Sequence, residues 1–68
     1  MENINAGKKI KDAREARGFT QEELAALLGY SHRSAVNKLE SKSSLQTKTL
    51  EKVADVLGIS LAKLMGFE

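Results

Sequence analysis

The stretch Thr20-Gln21-Glu22-Glu23-Leu24-Ala25-Ala26-Leu27-Leu28-Gly29-Tyr30-Ser31-His32-Arg33-Ser34-Ala35-Val36-Asn37-Lys38-Leu39-Glu40 reads as helix, glycine turn, helix. Thr20 to Glu23 has the form of a capping box. Thr20 stands at the N-cap and Glu23 at the third helical position, so each side chain can satisfy the other's orphan backbone N–H. Phe19 before the cap and Leu24 after it can close over the helix start as a hydrophobic staple. Leu24, Ala25 and Leu28 mark the inner face of this helix. Gly29 ends it by supplying a left-handed residue. The next helix is expected from His32 or Arg33 to Ser41, pinned to the body by Val36 and Leu39. The small side chain of Ala25 lets the two helices cross closely. Arg33, Ser34, Asn37 and Lys38 are then free to project outward.

On the N-terminal side, a helix is expected from Ala6 to Arg17, with Asn5 as cap. Its inner face carries Ile10, Ala13 and Arg17, with Arg14 beside it. Gly7 falls inside this helix, where it allows close packing of a neighbour. On the C-terminal side, residues 41–46 are polar apart from Leu45 and read as a loop. A helix from Lys48 to Leu57 follows, with Thr47 as cap and Leu50, Val53, Ala54 and Leu57 at i, i+3, i+4, i+7 spacing. A short last helix has Ser60 as cap, an Ile59–Leu64 staple and Gly66 as its stop. Gly18 and Gly58 end the other runs. Five short helices in 68 residues predict an all-α orthogonal bundle forming one domain over residues 1–68. Its helices are marginal alone and need mutual packing.

Composition narrows the function classes. The chain is 41% hydrophobic, enough for one small core, and leaves little room for an elaborate buried active site. Without cysteine there is no disulfide, thiolate metal site or thiol nucleophile, and one histidine cannot by itself make a zinc site. Proline is absent and only Phe19, Tyr30 and Phe67 are aromatic, which argues against a β-sandwich. No apolar run approaches the roughly 20 residues that span a bilayer. The N-terminus lacks the apolar core of a signal peptide, so a cytoplasmic location is expected. The net charge of +2 is unevenly spread. Positive excess falls in residues 1–19 and 29–50, and negative excess in residues 20–28 and 51–68. A local basic region of this kind suits a polyanion.

A steep helix pair with an outward polar and basic second helix is the grammar of a helix-turn-helix, whose second helix enters a DNA major groove. The sequence resembles the lambda-repressor/Cro-like helix-turn-helix family, also called the XRE family. The resemblance runs from about Gly7 to Leu64. It is carried by Ile10-Lys11-Asp12-Ala13-Arg14-Glu15-Ala16-Arg17-Gly18-Phe19-Thr20-Gln21-Glu22-Glu23-Leu24-Ala25, by Gly29-Tyr30-Ser31, by Val36-Asn37-Lys38-Leu39-Glu40, and by Thr49-Leu50-Glu51-Lys52-Val53-Ala54-Asp55-Val56-Leu57-Gly58. It implies a five-helix lambda-repressor-like fold. It also implies that Gln21 holds a DNA phosphate, that residues at the start of the second helix read bases, and that Arg14 and Glu40 form a partly buried ion pair. There are departures. Val36 lies seven residues after Gly29, one more than in many members. Counting from Gly29 makes His32 and Arg33 the first readers, whereas counting back from Glu40 makes them Arg33 and Ser34. Lys42 stands where the family often has glycine, and the usual proline of the next loop is missing.

The expected DNA-binding set is Gln21, Ser31, His32, Arg33, Ser34, Asn37, Lys38, Lys42, Ser43 and Ser44. Arginine can pair with guanine, and asparagine with adenine, in the major groove. His32 is expected to donate to phosphate or cap its helix, and Tyr30 to pack on the turn or touch the DNA backbone. Ile59, Leu61, Leu64, Met65 and Phe67 exceed what one short helix normally buries. Most should complete the core, leaving Ile59, Met65 and Phe67 as a dimer contact. The expectation is therefore a transcriptional regulator, a repressor, binding double-stranded DNA as a homodimer. It is not an enzyme and uses no cofactor, metal, membrane or small-molecule ligand. An antitoxin, a restriction–modification controller, and a protein-interaction module that has lost DNA affinity stay open as alternatives.

Overall fold

The Asn5 side chain accepts a 3.1 Å hydrogen bond from the Lys8 N–H and so opens the first helix of the computed structural model, which describes residues 5–67. Five helices and no strand occur among the described residues: α1 Ala6–Ala16, α2 Gln21–Leu28, α3 Arg33–Glu40, α4 Thr47–Leu57 and α5 Leu61–Met65. The capping box of α2 forms in full. Thr20 Oγ1 accepts from the Glu23 N–H at 3.0 Å, and Glu23 Oε1 accepts from the Thr20 N–H at 2.8 Å. Ser60 caps α5 by accepting from the Lys63 N–H at 3.0 Å. The start of α4 differs from expectation by one residue. Gln46 takes the extended N-cap conformation and Thr47 is already helical, with no side-chain cap. The Leu50 N–H reaches the Gln46 carbonyl at 3.1 Å, so the turn that buries Leu50 carries the helix back past Lys48.

Gly29 turns α2 toward α3 at φ 82°. Its N–H donates to the Ala26 carbonyl at 3.1 Å, and the Tyr30 N–H to the Ala25 carbonyl at 2.8 Å. These bonds satisfy carbonyls that the end of a helix would leave unpaired, in a backbone conformation that a Cβ disfavours.

The core is built from Ile10, Leu24, Val36, Val53 and Leu57, which are essentially inaccessible, with Ala6, Ala25, Leu28, Leu50, Ala54 and Leu64 around them. Helix α3 packs most extensively on α2 and next on α1, while α4 backs both α1 and α2. One expectation for α1 is corrected: Arg17 is exposed at the C-cap, and the inner face is Ala6, Gly7, Ile10 and Arg14. Arg14 lies four positions after Ile10, which places both on the stripe that meets the body. An arginine is tolerated there because α3 supplies a carboxylate.

Gly7 sets how closely the loop after α3 approaches α1. The Gly7 N–H donates to the Lys42 carbonyl at 2.8 Å and the Ala6 N–H to the Ser43 carbonyl at 3.0 Å. A Cβ on Gly7 would collide with the Glu40 and Lys42 carbonyl oxygens. The orphan donors at the start of α1 thus anchor residues 42 and 43.

Candidate nucleic-acid interface

Val36 is fully buried, whereas Arg33, Ser34, Asn37 and Lys38 of α3 are exposed. Helical spacing turns Ser34 and Lys38, two positions before and after the inward valine, away from the body, with Arg33 and Asn37 one turn apart at the flank of that face. The one acidic residue of α3 is Glu40, and its carboxylate is turned inward. Glu40 Oε2 accepts from Arg14 Nε at 2.7 Å and Oε1 from Arg14 Nη2 at 3.4 Å. The two side chains are only 8% and 5% exposed. Arg14 Nη1 also donates to the Phe19 carbonyl at 2.7 Å. The ion pair inferred from family resemblance is therefore formed geometrically, and it ties α1, the α1–α2 junction and the end of α3 together. Among the described residues, no buried side-chain nitrogen or oxygen lacks a hydrogen-bond partner.

Gln21 stands at the first position of α2, half-buried. Its Nε2 donates to Glu40 Oε1 at 2.9 Å and faces Asn37 Oδ1 at 3.5 Å. This link between α2 and α3 was not legible in the sequence. Gln21 lies 19 residues from Glu40 and 16 from Asn37, and no local pattern marks such a contact.

Ser31 and His32 are exposed in the turn. His32 occupies the N-cap position of α3 in extended conformation, but its side chain makes no capping bond. The helix itself therefore begins at Arg33. Tyr30 is half-buried and packed against the core. An open cleft of about 490 Å³ lies between Glu22, Ala25, Ala26 and residues 30–34. Lys42, Ser43 and Ser44 are exposed on the loop that α1 anchors, on the C-terminal side of α3.

The C-terminal apolar residues differ in burial. Leu64 is in the core, and Ile59, Leu61 and Met65 are partly buried against it. Phe67 alone of that group is largely free, at 73% exposure. No helix among the described residues is long and apolar enough to cross a membrane.

No curated protein matches the chain significantly. A protein-family model described as helix-turn-helix does match, over residues 10–64, from within α1 to within α5. The matched span contains the Arg14–Glu40 pair, the α2–α3 crossing and the outward face of α3, and the chain belongs to the Cro/C1-type (XRE) helix-turn-helix family, a DNA-binding, transcription-regulating and non-enzymatic family.

Proposed function

We propose that this chain is a sequence-specific double-stranded DNA-binding repressor that acts as a homodimer, in the cytoplasm, at an operator with two half-sites. The observation that carries the reading is the charge sorting on α3. Arg33 and Lys38 face outward, while the helix's one carboxylate is turned inward onto Arg14. A surface so arranged meets phosphates and base edges without like-charge repulsion. Arg33, Ser34 and Asn37 are the base readers. Lys38, Lys42, Ser43 and Ser44 meet the DNA backbone, and Ser31 and His32 flank the groove edge. Gln21 brings the N–H groups at the start of α2 toward phosphate.

Dimerisation follows from site size, because one α3 spans too few base pairs to select a site in a genome. With Ile59 and Met65 partly committed to the core, Phe67 is the main apolar contribution, so pairing is weak and completed on DNA. The test is binding to random duplex DNA at low salt, followed by a salt titration and selection from a duplex library. The proposal requires affinity that falls steeply with salt and a two-half-site consensus. An absence of duplex binding at low salt would instead support the protein-interaction alternative.

A further inference from the structure

We propose that the groove between α1 and α5 docks a short acidic amphipathic segment of a partner protein, on a flank of the molecule that α3 does not share.

The groove follows from the register of α1. Gly7 and Arg14 face the end of α3 and the loop after it. Lys9, Ala13 and Ala16 lie on the flank of the same helix turned away from that pair, because steps of three and four residues keep to one face. Helix α5 packs beside this flank, and an open groove of about 340 Å³ runs between the two. Its apolar floor comes from Ala13 and Ala16 on one side and from Ile59 and Leu64 on the other. The alanine side chains are too short to fill it.

The rim is cationic. Lys9, Arg17 and Lys63 line it against one carboxylate, that of Asp12, which Lys8 already meets at 3.4 Å. None of the three cations has an ion-pair partner among the described residues. Two of them are drawn in over helix ends. Arg17 Nη2 lies 3.3 Å from the point that a Cβ on Gly58 would occupy, and Lys9 Nζ lies 3.3 Å from the corresponding point at Gly66. These glycines close α4 and α5, and the carbonyl end of a helix favours a positive charge. The charge is thus gathered before anything binds, which lowers the ordering cost of binding.

This combination specifies the occupant. A phosphate backbone would use the cations and gain nothing from the floor, and a neutral apolar segment would do the reverse. A segment with apolar side chains one turn apart and carboxylates beside them uses both. The α1 rim from Lys9 to Arg17 is about 12 Å long, which suits two turns of helix laid in a groove. Arg33 and Lys38 are not part of it, so the segment and duplex DNA can be held together. The inference does not depend on the DNA reading of α3.

The experiment is an amide-shift titration of the chain with a two-turn peptide that carries leucines four positions apart among glutamates. A scrambled peptide of the same composition, polyglutamate and anionic phosphatidylglycerol vesicles are run beside it. Binding should be weak, with a Kd of about 0.1–1 mM, and the shifts should fall on α1 and α5 and not on α3. Lys9→Glu combined with Lys63→Glu should weaken binding by at least about tenfold, with a thermal melt to show that the variant is folded. If that pair does not fold, Lys63→Glu alone, at an exposed side chain, should still weaken it by about threefold. Random duplex added at low salt should leave the groove shifts in place, and a chain that fails to bind duplex would still show them. Equal binding of the scrambled peptide or of polyglutamate would reduce the groove to a plain anion patch and overturn the proposal. Shifts confined to α3, a preference for vesicles, or no shift at about 5 mM peptide would overturn it as well.

Discussion

Replacing Glu40 with alanine leaves the Arg14 guanidinium buried, with the Phe19 carbonyl and the largely exposed Glu15 carboxylate as its remaining neighbours. Removing one partner of a buried pair costs about 3–5 kcal/mol, and a core of this size supplies about the same total. Glu40→Ala is therefore expected to be largely unfolded at 37 °C, and a circular-dichroism melt reads this directly. The double variant Arg14→Met with Glu40→Leu should recover most of the loss, because apolar residues of similar volume often replace a buried pair without penalty. A melt of Glu40→Ala superimposable on that of the parent would show that the pair contributes nothing. Arg33 belongs to the other class of residue, exposed and free of structural duty. Arg33→Ala should leave the melt unchanged. It should weaken specific binding by about 1–3 kcal/mol and relax one base position, as read from a duplex-library profile. The Arg14–Glu40 pairing was anticipated from family resemblance, whereas the attachment of Gln21 to it was not. An amide at a helix start gives no sign in one dimension of which neighbouring helix it will meet.

Among the elements, α1 and the loop after α3 are the pair most exposed to a single change. Alanine would favour an isolated helix over glycine by up to about 1 kcal/mol, so propensity alone predicts that Gly7→Ala stabilises. Packing predicts the reverse, since the added methyl group would sit against the Glu40 and Lys42 carbonyls, whose backbone must then move. Overpacking of this kind costs about 1–3 kcal/mol. In a domain of this length the result should be a melting temperature lower by about 4 °C or more. Residues 42–44 should also be displaced, visible as amide shift changes confined to α1 and that loop. A rise in melting temperature would mean that the loop yields freely. Helix boundaries were legible because their causes are local: an acceptor at the N-cap, glycine past the end and apolar residues at helical spacing. The start of α4 slipped by one residue because nothing local distinguishes Thr47 as cap from Thr47 as first helical residue once Leu50 anchors the turn.

For the whole molecule, the prediction concerns assembly. Half-sites read by a two-fold pair should lie about 34 Å apart, one turn of duplex. With Phe67 as the one largely exposed residue of the C-terminal apolar group, sedimentation should find monomer or a monomer–dimer mixture at micromolar concentration. Operator titration should then show two protomers binding cooperatively. Phe67→Ser should reduce that cooperativity without lowering the melting temperature. Saturation at one protomer per operator would reject the pair.

The sequence by itself determined the number of helices, their stops, the residues of α3 that face outward and the family to which the chain belongs. All of these are written in short-range patterns, because capping, periodicity and glycine conformation act within one or two turns. The tertiary structure alone decided that Arg17 leaves the inner face of α1 for solvent, that Gln21 spans to Glu40 and Asn37, that the neighbour Gly7 admits is the loop after α3, and that Ile59 and Met65 lean on the core. Each of these joins segments far apart in the chain. Their outcome depends on which side chains meet once the helices have packed, and that geometry is settled by filling one small core.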